Sequence, residues 1–360
     1  MRLKEIDFLR GLAILFVLLR HFSILPVFKF GWCGVDLFFV LSGFLVSGLL
    51  FTEYKKSGDV KIGLFLIRRG FKIYPSFYVL LLVTLLYQFG LKELVNGGKW
   101  SISPLSFVSE VLFLQNYWLK IWDPNWSLAV EEHFYFLLCF LMFLGIKYRK
   151  IENKRLILSV FGGILVFCLA ARTYTTLRYQ PFAFNVHLFP THLRIDSLLF
   201  GVIISYYHHF HTQILASFYL KYKKYILLWL LFIVLLVVLV SEKTMFMTSI
   251  GFTFVYLGAA AALLYMVLEK NAAQNIQKYI GSTAFNTVSH IGFYSYSIYL
   301  WHIFIKNYVV ENALYYTKTT IPKPVEFVIY FVLSLGFGIF MAKIIEMPFL
   351  KLREKYFKKR

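Results

Sequence analysis

The sequence predicts an all-α polytopic membrane protein of about ten transmembrane helices, with both termini cytoplasmic and a re-entrant or interfacial helix near residues 104–118. Three observations lead there. Of the 360 residues, 59% are hydrophobic and only 16% charged, at a mean hydropathy of +0.67, more apolar surface than one soluble core of this size hides. Ten stretches are long and apolar enough for a bilayer core that takes about 20 residues per helix. The basic excess, 38 Lys and Arg against 18 Asp and Glu, gathers in alternate connections, as the positive-inside rule requires. An ordinary water-soluble enzyme is excluded. So is nucleic-acid binding, which the formal charge of +20 alone would have suggested.

The spans fall at approximately 6–26, 34–51, 73–90, 126–145, 155–173, 189–207, 225–240, 247–268, 288–309 and 325–345. The first begins like a signal peptide, but no small-x-small cleavage site follows and Arg20-His21 interrupts the run, so a retained span is expected. Residues 104–118 are short and carry Glu110, Gln115 and Asn116, which suits a segment that enters without crossing. Leaving them out of the count puts 24 Lys and Arg on the side of the N-terminus and 8 in the loops opposite. Counting them as a span would export the basic run KYRKIENKR. Residues 1–350 then form a single transmembrane domain and 351–360 a basic cytoplasmic tail, with no internal repeat or linker. Three cysteines (Cys33, Cys139 and Cys168) cannot build a disulfide framework.

A charge at the bilayer centre costs about 2.5–3.5 kcal/mol on insertion scales, so ionisable residues inside spans mark the bundle interior and its function. Lys306, Lys343 and Arg172 lie near span ends and are read as snorkelling to the interface. Arg10 and His21 differ. At about 100° per residue their spacing returns to nearly the same helix face, roughly 16 Å apart along the axis. Asp36 opens the second span at a depth similar to His21, as a helix N-cap or as a site carboxylate. Ser42-Gly43 behind it are small, as close helix packing requires.

Arg68, Arg69 and Lys72 lead into the third span. They serve either topology and lipid phosphate, or a polyanionic cytosolic ligand held by Arg forks. In NWSLAVEEHFYF, which contains Trp126 and Ser127, Glu131 lies one turn from Ser127 and one turn from Tyr135. Glu132 points about 100° away, so one Glu is expected to face the interior and the other the rim. Arg194 and Asp196 point about 200° apart, so no mutual salt bridge is implied. In SYSIYLWH, Tyr296 and Tyr299 are hydrogen-bonding candidates. His302 is either a site residue or an interfacial histidine beside Trp301. His208, His209 and His211 are read as a solvated cytoplasmic loop whose spacing suits no common zinc site. No metal is expected, and there is no P-loop, GxGxxG, HExxH or CxxC.

Taken in order, Arg10-x10-His21 after IDFLRGLA, then FFVLSGF, RRGFKIYP, NWSLAVEE-FY, SYSIYLWH and Glu346-x-Pro348 resemble the acyltransferase-3 family of bacterial membrane O-acyltransferases. The resemblance runs nearly the whole chain. It implies a multi-pass protein of the bacterial inner membrane that moves an acyl group, usually acetyl, from cytosolic acyl-CoA to a glycan hydroxyl. The implied partners are acyl-CoA, the glycan acceptor and membrane lipid. His21 matches the family's essential histidine, Arg10 its paired arginine, and Arg69 with Lys72 an Arg-x-x-Arg pair. Lys72 departs from that pair, a point charge in place of a bidentate fork. His133 stands where glutamine is common, and Arg20 where an aromatic is expected. Many relatives append a soluble esterase-like domain. This sequence ends ten residues after its transmembrane domain, at the close of the 351–360 tail, so the membrane domain is expected to complete the transfer or to hand the acyl group to a separate protein.

The expected site follows. Arg10, Arg68, Arg69 and Lys72 hold the CoA phosphates, and the pantetheine arm runs up the bundle to His21. His21 either deprotonates the acceptor, oriented by Glu131 or Asp36, or takes the acyl group itself. A transporter or flippase would use the same buried His, Asp and Glu as a proton relay, but the internal repeat common in transporters is missing. A polysaccharide-binding membrane subunit without chemistry is the third reading.

Overall fold

The computed structural model describes residues 3–22, 26–90 and 102–357, and every regular element among them is helical. Lipid offers the backbone no hydrogen bonds, so a chain this apolar must satisfy its amides within helices or a closed barrel. The chain opens with α1 (Lys4–His21), a 3₁₀ stretch (Pro26–Cys33), α2 (Gly34–Ser57) and α3 (Ile62–Gly90). Helix α4 (Pro104–Val111) starts on a Ser103 cap whose Oγ accepts from the Ser106 amide. Its 8 residues rise about 12 Å, too little to cross, as expected for a segment that does not span. Next come α5 (Trp126–Lys147), α6 (Lys154–Arg178), α7 (Phe184–His187), α8 (Ile195–Phe210), α9 (Thr212–Leu239) and α10 (Phe252–Leu268). The C-terminal third holds α11 (Ala272–Ile280), α12 (Ser282–Phe293), α13 (Ser295–Phe304), α14 (Asn312–Thr317), α15 (Lys323–Met341) and α16 (Met347–Tyr356).

Among the described residues, 7 helical stretches are long and apolar enough to cross a membrane: Lys29–Ser57, Ile62–Tyr87, Asp123–Lys147, Lys154–Arg178, Thr212–Leu239, Met247–Leu268 and Lys323–Tyr356. Three expected spans fall short of that measure for identifiable reasons. Helix α1 is interrupted by Lys4, Glu5, Asp7, Arg10 and Arg20. Helix α8 has only 16 residues, because Thr191–Leu193 forms a 3₁₀ turn and regular helix begins at Ile195. The stretch 288–309 is broken at Tyr294 into α12 and α13, and then widens into a π turn at Ile305–Glu311. The expected loop 208–224 is corrected as well. It is almost wholly helical, and α9 starts at Thr212 with only His211 between it and the end of α8. His208 and His209 therefore belong to α8. His209 Nδ1 lies 2.8 Å from the Ser205 carbonyl and its Nε2 3.3 Å from Thr52 Oγ1 of α2.

Helices α2 and α8 pack closely near the site. A Cβ on Gly43 would lie 1.9 Å from the Leu198 carbonyl oxygen, and one on Gly201 2.2 Å from that of Val40. Reciprocal glycines thus let the two backbones touch, the close approach that small residues permit in membrane bundles.

Candidate active site

Helices α1, α2, α3, α5 and α13 enclose a cavity of about 130 Å³. Its cations are Arg10 from α1 and Arg69 with Lys72 from α3, the latter two on one helix face by their three-residue spacing. Arg68 points elsewhere. It donates to Glu354 of α16 at 2.8 Å and to the Phe357 carbonyl, and it does not line this cavity with Arg69 and Lys72. Glu131 and Glu132 both line the cavity, which also corrects the expectation that only one would face inward. Each is drawn in by its own partner. Glu131 accepts from the Tyr135 hydroxyl and lies 3.8 Å from Arg69, while Glu132 accepts from the Tyr74 hydroxyl at 3.1 Å.

Tyr135 is the hub of this polar floor. Arg69 donates to its hydroxyl, with the guanidinium 4.4 Å from its ring centroid. Its single proton goes to Glu131, so Ser42 Oγ, at 3.0 Å, is the donor of that pair. Ser42 is therefore a cavity residue as well as a small packing residue. Lys72 bonds Glu346, whose other oxygen accepts from Ser297 Oγ at 2.7 Å. Tyr296 donates to the Ile73 carbonyl at 2.7 Å, and Lys72 Nζ lies 5.9 Å from its ring. On α5 and α13, Ser127 Oγ lies 2.6 Å from the Tyr299 hydroxyl, which donates to the Pro124 carbonyl at 2.8 Å. Glu110 fixes that carbonyl's surroundings. Its carboxylate accepts from the Ile121 and Trp122 amides at 3.1 Å and from Asn125 Nδ2 at 2.9 Å, clamping the turn that leads into α5.

His21 lies outside the cavity lining, and its imidazole is oriented by neither Asp36 nor Glu131. Its Nδ1 sits 2.9 Å from the Val17 carbonyl and 3.3 Å from Nε2 of His302, with the two rings edge to face at 4.8 Å. His302 is fully buried, not an interfacial belt residue. Tyr299 joins the two regions. Its side chain lines the cavity, its ring stands 5.6 Å from that of His302, and its carbonyl receives the His302 Nδ1 proton.

Asp36 is committed elsewhere. It sits in the first turn of α2 without capping the helix, and Arg194 donates to it at 2.6 Å. Arg172 pairs with Asp196 at 2.7 Å, so it does not snorkel. Both ion pairs are at least 98% buried, and they bind α2, α6 and α8 together. Arg194 and Asp196 do take different partners, as their angular separation requires. Trp126 packs against this lattice, its ring stacked on Phe189 at 5.1 Å and 5.9 Å from the Arg194 guanidinium, and does not line the cavity. Arg20 pairs with the buried Glu242 of the turn before α10. Among the described residues, no group of three or more His, Cys, Asp and Glu is placed to hold a metal ion.

A bundle of membrane-length helices thus brings Arg10, Arg69 and Lys72 to one space, together with Glu131 and Glu132. Residues 3–343 match the acyltransferase domain family acyltransferase-3, and the chain belongs to it. It is 29% identical to the peptidoglycan O-acetyltransferase OatA of Listeria monocytogenes, over 83% of this chain and 48% of that protein. It is 25% identical to the O-acetyltransferase OatA of Staphylococcus aureus, over 87% of this chain and 52% of that protein. The chain thus spans about half the length of the curated relatives it matches. No solved structure matches it.

Proposed function

We propose that this chain is a membrane O-acyltransferase that moves an acetyl group from cytosolic acetyl-CoA to a hydroxyl of a cell-envelope glycan. Family membership and the names of the relatives support the reaction class, with peptidoglycan as their precedent for the acceptor. The observation that carries the reading here is the cavity, where Arg10, Arg69 and Lys72 meet one space bordered by Tyr299, next to the His21–His302 pair. In this reading the CoA phosphates bind the three cations, with Lys72 exchanging Glu346 for phosphate. Arg69 offers the fork, kept in place by Tyr135 and Glu131. The pantetheine arm passes Ser127 and Tyr299 to bring the thioester to His21. His21 takes the acceptor's proton as the oxygen attacks the thioester carbon, and returns it to the departing sulfur. Low dielectric inside the bundle strengthens each of these charge contacts.

The same reading places the chain in the bacterial cytoplasmic membrane with ten crossings, adding α1, α8 and the α12–α13 pair to the seven long helices. Both termini and the donor end of the cavity then face the cytoplasm. Purified protein in lipid discs, given radiolabelled acetyl-CoA and a peptidoglycan acceptor, should release free CoA and label the acceptor as an ester. Release of neither, together with acceptor or proton flux in sealed vesicles, would replace this reading with a transporter.

A further inference from the structure

We infer that His302 is the positioning partner of His21. Together with the Val17 carbonyl it accepts the hydrogen bond of His21 Nδ1–H, holds the ring so that Nε2 is presented as the base, and shares the positive charge when that nitrogen takes a proton. This rests on the acyltransferase reading and deepens it. The role is the one a buried carboxylate holds in a hydrolase triad.

The protons can be assigned from the acceptors. A carbonyl oxygen only accepts, so His21 Nδ1, at 2.9 Å from the Val17 carbonyl, carries hydrogen. His302 Nδ1 bonds the Tyr299 carbonyl and carries hydrogen for the same reason. In two neutral rings the lone pairs then sit on both Nε2 atoms. His302 Nε2 aims its lone pair at His21 Nδ1, 3.3 Å away, and that proton is shared between Val17 and His302. The opposite polarity would leave bare ring nitrogens facing the Val17 and Tyr299 carbonyl oxygens. Charged groups around His21 are Arg20, Lys306 and Asp123, with Lys306 also near His302. Among the described residues, none of them hydrogen-bonds either ring, and Arg20 is already paired with Glu242. The His302 lone pair is thus the side-chain group in direct contact with a charge that develops on His21, beside the Val17 carbonyl.

The proton balance closes. The acceptor's O–H bond breaks and its proton moves to His21 Nε2, while the oxygen bonds the acyl carbon. The C–S bond breaks with its electron pair on sulfur, and sulfur collects the proton from Nε2. His302 gains no net proton over the cycle.

The test uses purified full-length protein with acetyl-CoA and glycan. His302→Ala should lower kcat roughly 10- to 100-fold, the size of effect carried by outer partners of a functional histidine, and leave the donor KM within about twofold. His302→Glu should recover at least about tenfold of that loss. It should also move the acidic limb of the kcat–pH profile upward, because a carboxylate holds an imidazolium more strongly. Imidazole-nitrogen NMR of isotope-labelled protein reads the pairing without reference to activity, and the His21 Nδ1 signal should shift in His302→Ala. If that variant does not insert, His302→Gln keeps the volume and should show the same signal change with lowered kcat. Unchanged His21 signals, or wild-type kcat with an unmoved acidic limb, would overturn the pairing. The parent reading fails separately, through wild-type turnover in His21→Gln.

Discussion

Arg69 is the side chain whose role is most directly testable by kinetics. Its guanidinium reaches the cavity, fixed by Tyr135 and Glu131, whereas its neighbour Arg68 is tied to α16. A charge-assisted hydrogen bond is worth about 1.5–3 kcal/mol, so Arg69→Ala should raise the donor KM roughly ten- to a hundredfold with little change in kcat. Arg68→Ala should leave that KM near wild type; steady-state kinetics over donor concentration separates the two. A second prediction concerns the Asp36–Arg194 pair. Arg194→Ala strands a buried carboxylate and should cost about 3–5 kcal/mol, read as a lower thermal midpoint in detergent. The double change Asp36→Asn with Arg194→Leu should recover most of that loss, and a midpoint as low as in Arg194→Ala would remove the pair from the stabilising network. Much of the residue level is legible in sequence where partners share a helix, as with Glu131 and Tyr135 one turn apart. Lys72–Glu346 and Arg20–Glu242 join positions 274 and 222 residues apart, and no periodicity announces them. The eleven-residue Arg10–His21 spacing gives a shared face, but it does not reveal that the cavity takes Arg10 while His302 takes His21.

Helix contacts carry the third prediction. A methyl group on Gly43 meets the Leu198 backbone, which cannot rotate away, so Gly43→Ala should cost about 1–3 kcal/mol by overpacking. Gly163 of α6 has nothing within 4 Å of a built Cβ, so Gly163→Ala should leave the thermal midpoint unchanged or raise it. Equal loss in both would mean that the close α2–α8 approach at Gly43 does not set the cost. The long helices are legible from sequence because continuous apolar runs need only length. The break at Tyr294 and the extension of α9 back to Thr212 are not. One depends on how α12 packs against α1, where a Cβ on Gly292 would lie 1.8 Å from the Asp7 carbonyl oxygen. The other joins polar and apolar residues into one helix, whose Lys221, Lys223 and Lys224 resemble a loop by charge alone.

For the whole molecule, the charge asymmetry makes a topological prediction. A cysteine placed at Lys56, after the end of the apolar part of α2, or at Lys351 in α16 should resist a membrane-impermeant thiol reagent in intact cells and react after permeabilisation. Reaction of either in intact cells would put the cationic end of the cavity on the wrong side for a cytosolic donor. In the proposed function this bundle transfers an acyl group through His21. The most direct measurement compares wild type and His21→Gln in lipid discs, following acetyl-CoA binding and acetyl transfer to glycan in the same preparation. Both proteins should bind acetyl-CoA, with transfer slower by about 10²–10⁴-fold in the variant, the usual cost of losing a general base. Near-normal transfer by His21→Gln would contradict the account.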